Sequence, residues 1–368
     1  MNSDSRTPER TVHANFDALV ALLDSRTRSG QWGTGWQLCC IQQGQTVIDA
    51  AGGIDGRERP VEPTSRFSIY CAGKPLTALA VAAAVEDKQL SFDDHIGDLI
   101  SGHLRPALAA LTVRDLLTHR GGLGGFPSAM FVAQTAAGRE GLVRSIQPQP
   151  YTQTGTAYSE FAGWELLRLC LQHTTGQDIE SYITHRVLAP LGLADAIGFR
   201  PDPSTHKLNV IVADDGPRPL LLEAGTINTT QVRVATGAVS SAQALASLYD
   251  ALLRLEPRHL GISGATLDRL LNERTERHFD PVLDRDCQFG LGFMVNLADH
   301  LCGPLGESSF GHTGLAGMTF AGADPDLGLA FACHINGMLD HQPATERRLQ
   351  VTAELVEGIT SVRASPRW

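Results

Sequence analysis

The chain has 368 residues, 42% hydrophobic and 19% charged, an ordinary make-up for a globular protein long enough to bury a large core. A formal charge of −10 at pH 7 with no basic stripe excludes the electrostatic footprint of a nucleic-acid binder. The polar N-terminus MNSDSRTPER lacks a signal-peptide core, and no run approaches the roughly 20 apolar residues of a membrane span, so a cytoplasmic protein without a membrane partner is expected.

In chain order, an amphipathic helix is predicted over 12–28, with Phe16, Leu19, Leu22 and Leu23 on one face. Two strand-like runs follow, WQLCCIQ (36–42) and TVIDAAG (46–52), separated by the turn Gln43-Gly44. The stretch FSIYCAGKPLTALAVAAA (67–84) opens a second helix, read from about Cys71 to Lys88, with Pro75 suited to its first turn. From there to about residue 280 the pattern is mostly helical, broken by Gly/Pro loops; 112–119, 159–174 and 241–255 are examples, the last with a serine at its start. The Gly-rich GGLGGF (121–126) neither follows a strand nor opens a helix and reads as a turn, not a phosphate loop. Strands return in FGLGFMVN (289–296), GMTFAGA (317–323) and LGLAFACHIN (327–336), the last two joined by Asp324-Pro325-Asp326. A helix over 344–359 closes the chain. Strands at both ends with helices between them imply one sheet built from both termini, carrying an inserted helical region.

The seven cysteines are scattered at 39, 40, 71, 170, 287, 302 and 333. They form no CxxC pair and no His/Cys cluster with zinc spacing, so neither a metal nor another cofactor is expected. Cys39 and Cys40 lie in an apolar run and read as strand packing. Lysine is scarce: only residues 74, 88 and 207 of the 30 basic residues, the other 27 being arginine. Lys74 therefore stands out, because lysine can give up its proton where arginine cannot.

Cys71 and Lys74 are three residues apart, which puts thiol and amine on one face of a helix. A cysteine at a helix start beside a cation is expected to have a depressed pKa, with the helix end supplying only about 0.3–1 kcal/mol of the effect. A lone CxxK is more often a structural cysteine. Ser204-Thr205-His206-Lys207 is a literal SxxK, but it lies in a Pro-rich stretch with no apolar helix after it. Tyr158, in a loop entering a helix, could hold its hydroxyl toward a site and act as a phenolate beside a lysinium; a buried core tyrosine is the plainer reading. Gly311-His312-Thr313-Gly314-Leu315 heads a strand pair, where extended backbone could pair with a substrate and an amide could join that of Cys71 in an oxyanion hole. Alone, an ordinary strand end would explain it.

Taken together, in this order, the three motifs resemble the serine β-lactamase and penicillin-binding protein superfamily, specifically class C β-lactamase-like esterases, peptidases and transacylases. LTVRDLLTHRGGL (111–123), PLGLADAIGF (190–199), GAVSSAQALASLYDALL (237–253) and GHTGLAGMTFAGADPDLGLAFACHING (311–337) also look similar in the right order, so the likeness spans about 12–360. It implies an α/β (α+β) fold of the β-lactamase/transpeptidase type. An antiparallel sheet domain from 12–75 and 285–362 would be flanked by helices, with a mostly helical insertion over 76–284 and the site between them. Residue by residue it implies Cys71 as nucleophile, Lys74 as activator and Tyr158 as proton-relay partner. His312, Thr313 and Gly314 would line the substrate strand, the amides of Cys71 and Leu315 would form the oxyanion hole, and Asn336 would contact substrate.

The departures carry information too. The family nucleophile is serine; the second motif often reads Tyr-Ser-Asn, where this chain has Glu160; and true lactamases have lysine where this chain has His312. Each change counts against β-lactam hydrolysis. A thioester reacts far better with amines than an oxyester does, which points to a biosynthetic transacylase. Cys71 would take an acyl group from a small-molecule ester or thioester donor, possibly one bound to a carrier protein. An amine acceptor would then remove it. Glu160 would hold or deprotonate the amine, or else be a solvated helix-start carboxylate. The alternatives are an esterase or thioesterase on the same acyl-enzyme path, and a retired family member that only binds.

Overall fold

The computed structural model describes residues 11–124, 135–149, 155–200, 204–206, 210–218, 232–254, 261–300 and 303–364. Its strands in chain order are β1 (Thr11–Val12), β2 (Gly35–Gln42), β3 (Gln45–Gly53), β4 (Phe67–Ser68), β5 (Ile211–Ala213), β6 (Gly216–Arg218) and β7 (Val239–Ser240). They continue with β8 (His278–Asp280), β9 (Arg285–Phe289), β10 (Met294–Val295), β11 (Phe310–Thr313), β12 (Thr319–Asp324) and β13 (Leu329–Ile335). Nine of them form one sheet, in the order β1-β3-β2-β13-β12-β11-β10-β9-β8, with every neighbouring pair antiparallel. The first and last thirds of the chain thus meet where β2 pairs with β13, Cys39 opposite Ala332. Gln43 and Gly44, both in the left-handed region at φ 51° and 77°, make the tight β2–β3 hairpin.

Both faces of the sheet are covered, so its central strands read as continuous apolar runs. Cys39, Ile41, Ala330 and Ala332 face one core, filled by helices Lys74–Glu86, Ala162–Thr175 and Ala242–Leu253. Leu38, Cys40, Phe331 and Cys333 face the other, against Phe16, Leu19 and Leu23 near the N-terminus and Val351, Leu355 and Ile359 of the last helix. Helix Ala242–Leu253, inside the 76–284 stretch read as the insertion, packs directly on β2, β12 and β13. Helix Lys74–Glu86 is apolar all round and buried from Lys74 to Ala84, the signature of a central core helix.

Several boundaries differ from the sequence reading. The first helix spans Asp17–Arg28, because Thr11–Val12 pairs with β3 and Ala14–Phe16 is a 3-10 turn. The run 289–296 is not one strand but β9 and β10 joined by a bend at Gly292. Gly292 has φ 85°, and a Cβ there would come 2.3 Å from the Cβ of Ala78. Residues 159–161 precede the helix Ala162–Thr175, and the last helix is longer than predicted, His341–Ala364. Cys302, Lys207 and the end of GGLGGF lie outside the described residues. Among the described residues, no helix is long and apolar enough to cross a membrane.

One buried cation fastens three loops. Arg347, on the last helix, donates from Nη1 to the carbonyls of Trp32 (3.0 Å) and Gly337 (2.7 Å), and from Nη2 to those of Ala316 (3.3 Å) and Gly317 (3.2 Å). Burial lowers its pKa to about 9. Replacing it with methionine keeps the apolar stem but leaves these carbonyls without a donor. Arg347→Met is therefore expected to lower the free energy of unfolding by about 2–4 kcal/mol in urea titrations, whereas the same change at the exposed Arg277 costs less than about 1 kcal/mol.

Candidate active site

Cys71 does not sit in the α-helix, as its spacing alone implied. It occupies a 3-10 turn, Tyr70–Gly73, and the α-helix begins at Lys74 with Pro75 in its first turn. A 3-10 turn eclipses residues i and i+3, which keeps Cys71 and Lys74 on one side of the chain. The preceding Tyr70 is in the left-handed region at φ 50°, so the chain turns sharply into the thiol. Close backbone approaches fix the surroundings of this turn. A Cβ on Gly73 would meet that of Ala238 at 2.3 Å, and one on Gly314 would meet the carbonyl oxygen of Ile69 at 2.6 Å. Glycine at these two places lets the 235–238 segment and the end of β11 close on the turn.

Lys74 is fully buried. Its amine donates to the carbonyl of Ala235 (3.3 Å) and lies over the rings of Tyr158 and Trp164, 5.2 and 5.7 Å from their centroids. Among the described residues no carboxylate forms an ion pair with it. Glu160 lies within reach of its field: burial raises the Glu160 pKa, and the Lys74 charge opposes that rise.

Tyr158 lies next to the Cys71 thiol, close enough for that thiol to act on its hydroxyl. Burial first, and then the charge of that thiol, push its pKa well above the ordinary tyrosine value. Tyr158 is therefore a phenol at rest, where the sequence had left open a phenolate beside a lysinium. Its backbone is held at three consecutive amides. Ala157 N–H donates to the His119 carbonyl (2.9 Å), Tyr158 N–H to Asp280 Oδ2 (2.8 Å) and Ser159 N–H to His119 Nδ1 (3.0 Å). Asp280 Oδ1 also accepts from Val282 and Leu283. The His119 ring packs against that of Tyr158, 4.7 Å between centroids.

His119 and Asp280 were not singled out as site residues. His119 stands in LTHRGGL, but its left-handed backbone (φ 58°) and its grip on the Tyr158 loop are not readable from that string. Asp280 gives no sequence signal at all.

His312 is buried on β11. Its Nδ1 is 2.8 Å from the Thr313 carbonyl, a contact that requires a proton on Nδ1 and leaves Nε2 as a bare acceptor without a partner. Burial, followed by the Lys74 charge, holds its pKa well below the usual histidine value, so the ring is neutral. It sits 6.1 Å, centroid to centroid, from the Tyr158 ring. On one side β11 pairs with β12 through Thr313↔Phe320; on the other, β10 reaches only Phe310 and Gly311. The β10-facing edge of His312–Thr313 thus has no strand partner, and the chain continues extended through Gly314 to the 3-10 turn Leu315–Gly317. The amides of Cys71 and Leu315, early in their short turns, lack the preceding carbonyls that would pair with them inside a helix.

The structure therefore brings Cys71, Lys74, Tyr158, Glu160 and His312 together, with Thr313, Gly314 and Leu315 on the adjoining strand end. It does not bring in Asn336. That side chain is fully buried and donates through Nδ2 to Thr34 Oγ1 (3.1 Å), with no described contact to Cys71, Lys74 or Tyr158. The literal SxxK is also elsewhere: Ser204 Oγ accepts from Arg66 (3.1 Å), and His206 forms a bridge to Phe67.

A family model described as Beta-lactamase matches residues 14–355. The chain belongs to that family. Its fold is the α/β fold of β-lactamases and penicillin-binding proteins: a penicillin-binding protein homologue from Caulobacter crescentus superposes with a TM-score of 0.77 at 20% identity, covering 95% of this chain and 98% of that one. EstCE1, a hydrolase with promiscuous acyltransferase activity, superposes with a TM-score of 0.69 at 17% identity, over 93% and 98% of the two chains. In sequence, 206 residues are 24% identical to esterase EstB of Burkholderia gladioli, 50% of this chain and 51% of that protein. The match thus spans about half of the curated relative.

Two outcomes follow from the geometry. Of the six described cysteines only Cys71 is not buried, and burial raises the pKa of Cys170, Cys287 and Cys333 to about 12. Iodoacetamide on native protein should label Cys71 at least tenfold faster than these three, read by peptide mass spectrometry. For His312 the folded pKa lies below the unfolded value near 6.5. Its stabilising contribution is present above about pH 6.5 and is lost as pH falls toward the folded value, because only the unfolded chain takes up the proton. His312→Gln should therefore lose less stability than wild type between pH 7 and pH 5, by up to about 2 kcal/mol, in denaturant titrations at the two pH values.

Proposed function

We propose that the protein is a covalent acyl-transfer enzyme in which Cys71 carries the acyl group as a thioester and passes it to an amine. The observation that carries this reading is the fully buried Lys74 amine lying over the Tyr158 ring beside Cys71, a thiol more exposed than the other described cysteines. The unpartnered edge of β11 offers backbone groups on which an extended donor can lie next to that sulfur.

The steps balance within the cluster. The Cys71 sulfur attacks the donor carbonyl carbon, and its proton passes into the group formed by Tyr158, Lys74 and the bare Nε2 of His312. The amides of Cys71 and Leu315 receive the developing oxyanion. The tetrahedral species expels an alcohol or thiol, which leaves with a proton from Tyr158. An amine then attacks the thioester, gives its proton to Glu160 or back to Tyr158, and releases the amide and a free thiol. Burial that raises the Glu160 pKa suits a carboxylate asked to accept a proton during the reaction. A neutral His312 in place of a lysine removes a fixed positive charge from the substrate strand, which disfavours donors that need a carboxylate anchored there.

Hydrolysis by the same acyl-enzyme is the second reading, favoured by the sequence similarity to esterase EstB. EstCE1, similar in fold, is a hydrolase with promiscuous acyltransferase activity, which supports treating the two readings as branches of one path. The biosynthetic role, the carrier-bound donor and the intracellular setting belong to the proposal as well.

The test uses p-nitrophenyl esters and acyl thioesters with and without primary amines. Intact-mass spectrometry should show one added acyl group, absent in Cys71→Ala, and amide should exceed carboxylic acid when amine is present. Lys74→Ala should slow acylation about 100-fold or more. An acyl-enzyme that yields only acid in the presence of amines overturns transfer in favour of hydrolysis. No acyl adduct with any donor overturns both.

A further inference from the structure

A second polar site lies behind the Lys74 amine, where the helix Ala136–Ser145, the helix Ala162–Thr175 and the segment 233–236 meet. Arg139, Phe161, Glu165, Arg233, Ala235 and Thr236 line a small, partly open cavity with room for about one group the size of a water molecule or a small ion.

Arg139 is 3% exposed. Its Nη2 donates to the Val232 carbonyl at 2.9 Å, and its Nε approaches Glu165 Oε1 at 3.5 Å without making a hydrogen bond. Among the described residues its Nη1 has no partner. The Thr236 hydroxyl, on a residue 4% exposed, has none either. Glu165 does not neutralise the group, because the same Oε1 accepts from Arg168 Nε at 2.8 Å. Arg168 is itself buried, with Nη2 unpartnered. Two buried guanidinium ions thus share one carboxylate. A buried cation left without its full complement of acceptors is costly, so the arrangement calls for a negative ligand.

We infer that this cavity binds a small monovalent anion, of the size of a halide or a carboxylate group, held by Arg139 Nη1 and the Thr236 hydroxyl. Two sources share this chemistry: a free inorganic ion, or a carboxylate at the end of an acyl substrate. Either would brace the 232–236 segment, to which Arg139 is tied at Val232 and whose Ala235 carbonyl holds the Lys74 amine. The consequence for catalysis rests on the proposed role of Lys74; the binding itself does not.

The experiment uses the full chain. Thermal unfolding is followed in sodium bromide and in sodium gluconate at equal ionic strength, for wild type, Thr236→Val and Arg139→Gln. Bromide should raise the melting temperature saturably where gluconate does not, with the apparent affinity about fivefold weaker in Thr236→Val. The effect should vanish in Arg139→Gln; Thr236→Val keeps the test open if that variant does not fold. Crystals grown with bromide should show an anomalous peak within hydrogen-bond distance of Arg139 Nη1. Short dicarboxylates that stabilise the protein more than bromide, in competition with it, would assign the site to a substrate carboxylate; bromide alone would assign it to a free ion. Equal effects of bromide and gluconate in wild type, or no anomalous peak, overturn the inference. These readouts do not involve acyl transfer, so their failure leaves the Cys71 mechanism standing, and the reverse also holds.

Discussion

A lysine amine taken entirely out of water, with a carbonyl and two aromatic faces around it and no carboxylate ion pair among the described residues, is the constraint on which the rest of the site depends. Lys74 begins a helix buried on all sides, so its side chain has no route to solvent and must find its partners inside. Its partners come from distant parts of the chain: Ala235 from the segment before β7, and Tyr158 and Trp164 from the start of another helix. The field of that amine reaches outward. It adds to burial in keeping His119 and His312 neutral and works against burial at Glu160. Burial is the larger influence at each of these groups, and the field of the amine adds to it or opposes it where water screens poorly.

Around this amine the backbone is held more firmly than the side chains. Tyr158 is fixed by three consecutive amides, two on His119 and one on Asp280, so the phenol is aimed by its own main chain. The turn after Leu315 is fixed from the opposite side of the sheet by Arg347, which also gathers the loops at Trp32 and Gly337. Gly73 and Gly314 remove the Cβ atoms that would hold these pieces apart.

Much of this was legible in the chain. The hairpin at Gln43-Gly44 and the strand runs on both sides of it were readable because turn chemistry and apolar runs are local properties. The helix with Ser241 at its cap was readable for the same reason: Ser241 Oγ accepts from Ala244 N–H. The order Cys71–Lys74, Tyr158, His312–Gly314 was enough to bring the candidate groups to one place. What misled was detail that local pattern does not encode. FGLGFMVN reads as one strand by hydrophobicity, but Gly292 packs against Ala78 and bends it into two. The resemblance offered Asn336 as a substrate contact, whereas its side chain is buried and donates to Thr34.

Residue types and their spacing decided which chemistry was available here: a thiol three residues from the scarce lysine, a tyrosine at a helix entrance, and continuous apolar runs able to bury both faces of a sheet. Those are properties of neighbours along the chain, so they survive without coordinates. The folded arrangement alone decided the protonation of Tyr158 and His312, the clamp of His119 and Asp280, and the share of Glu165 between Arg139 and Arg168. Each of these depends on how far a group is removed from water and on which distant groups close around it, and burial and long-range contact exist only once the chain has packed.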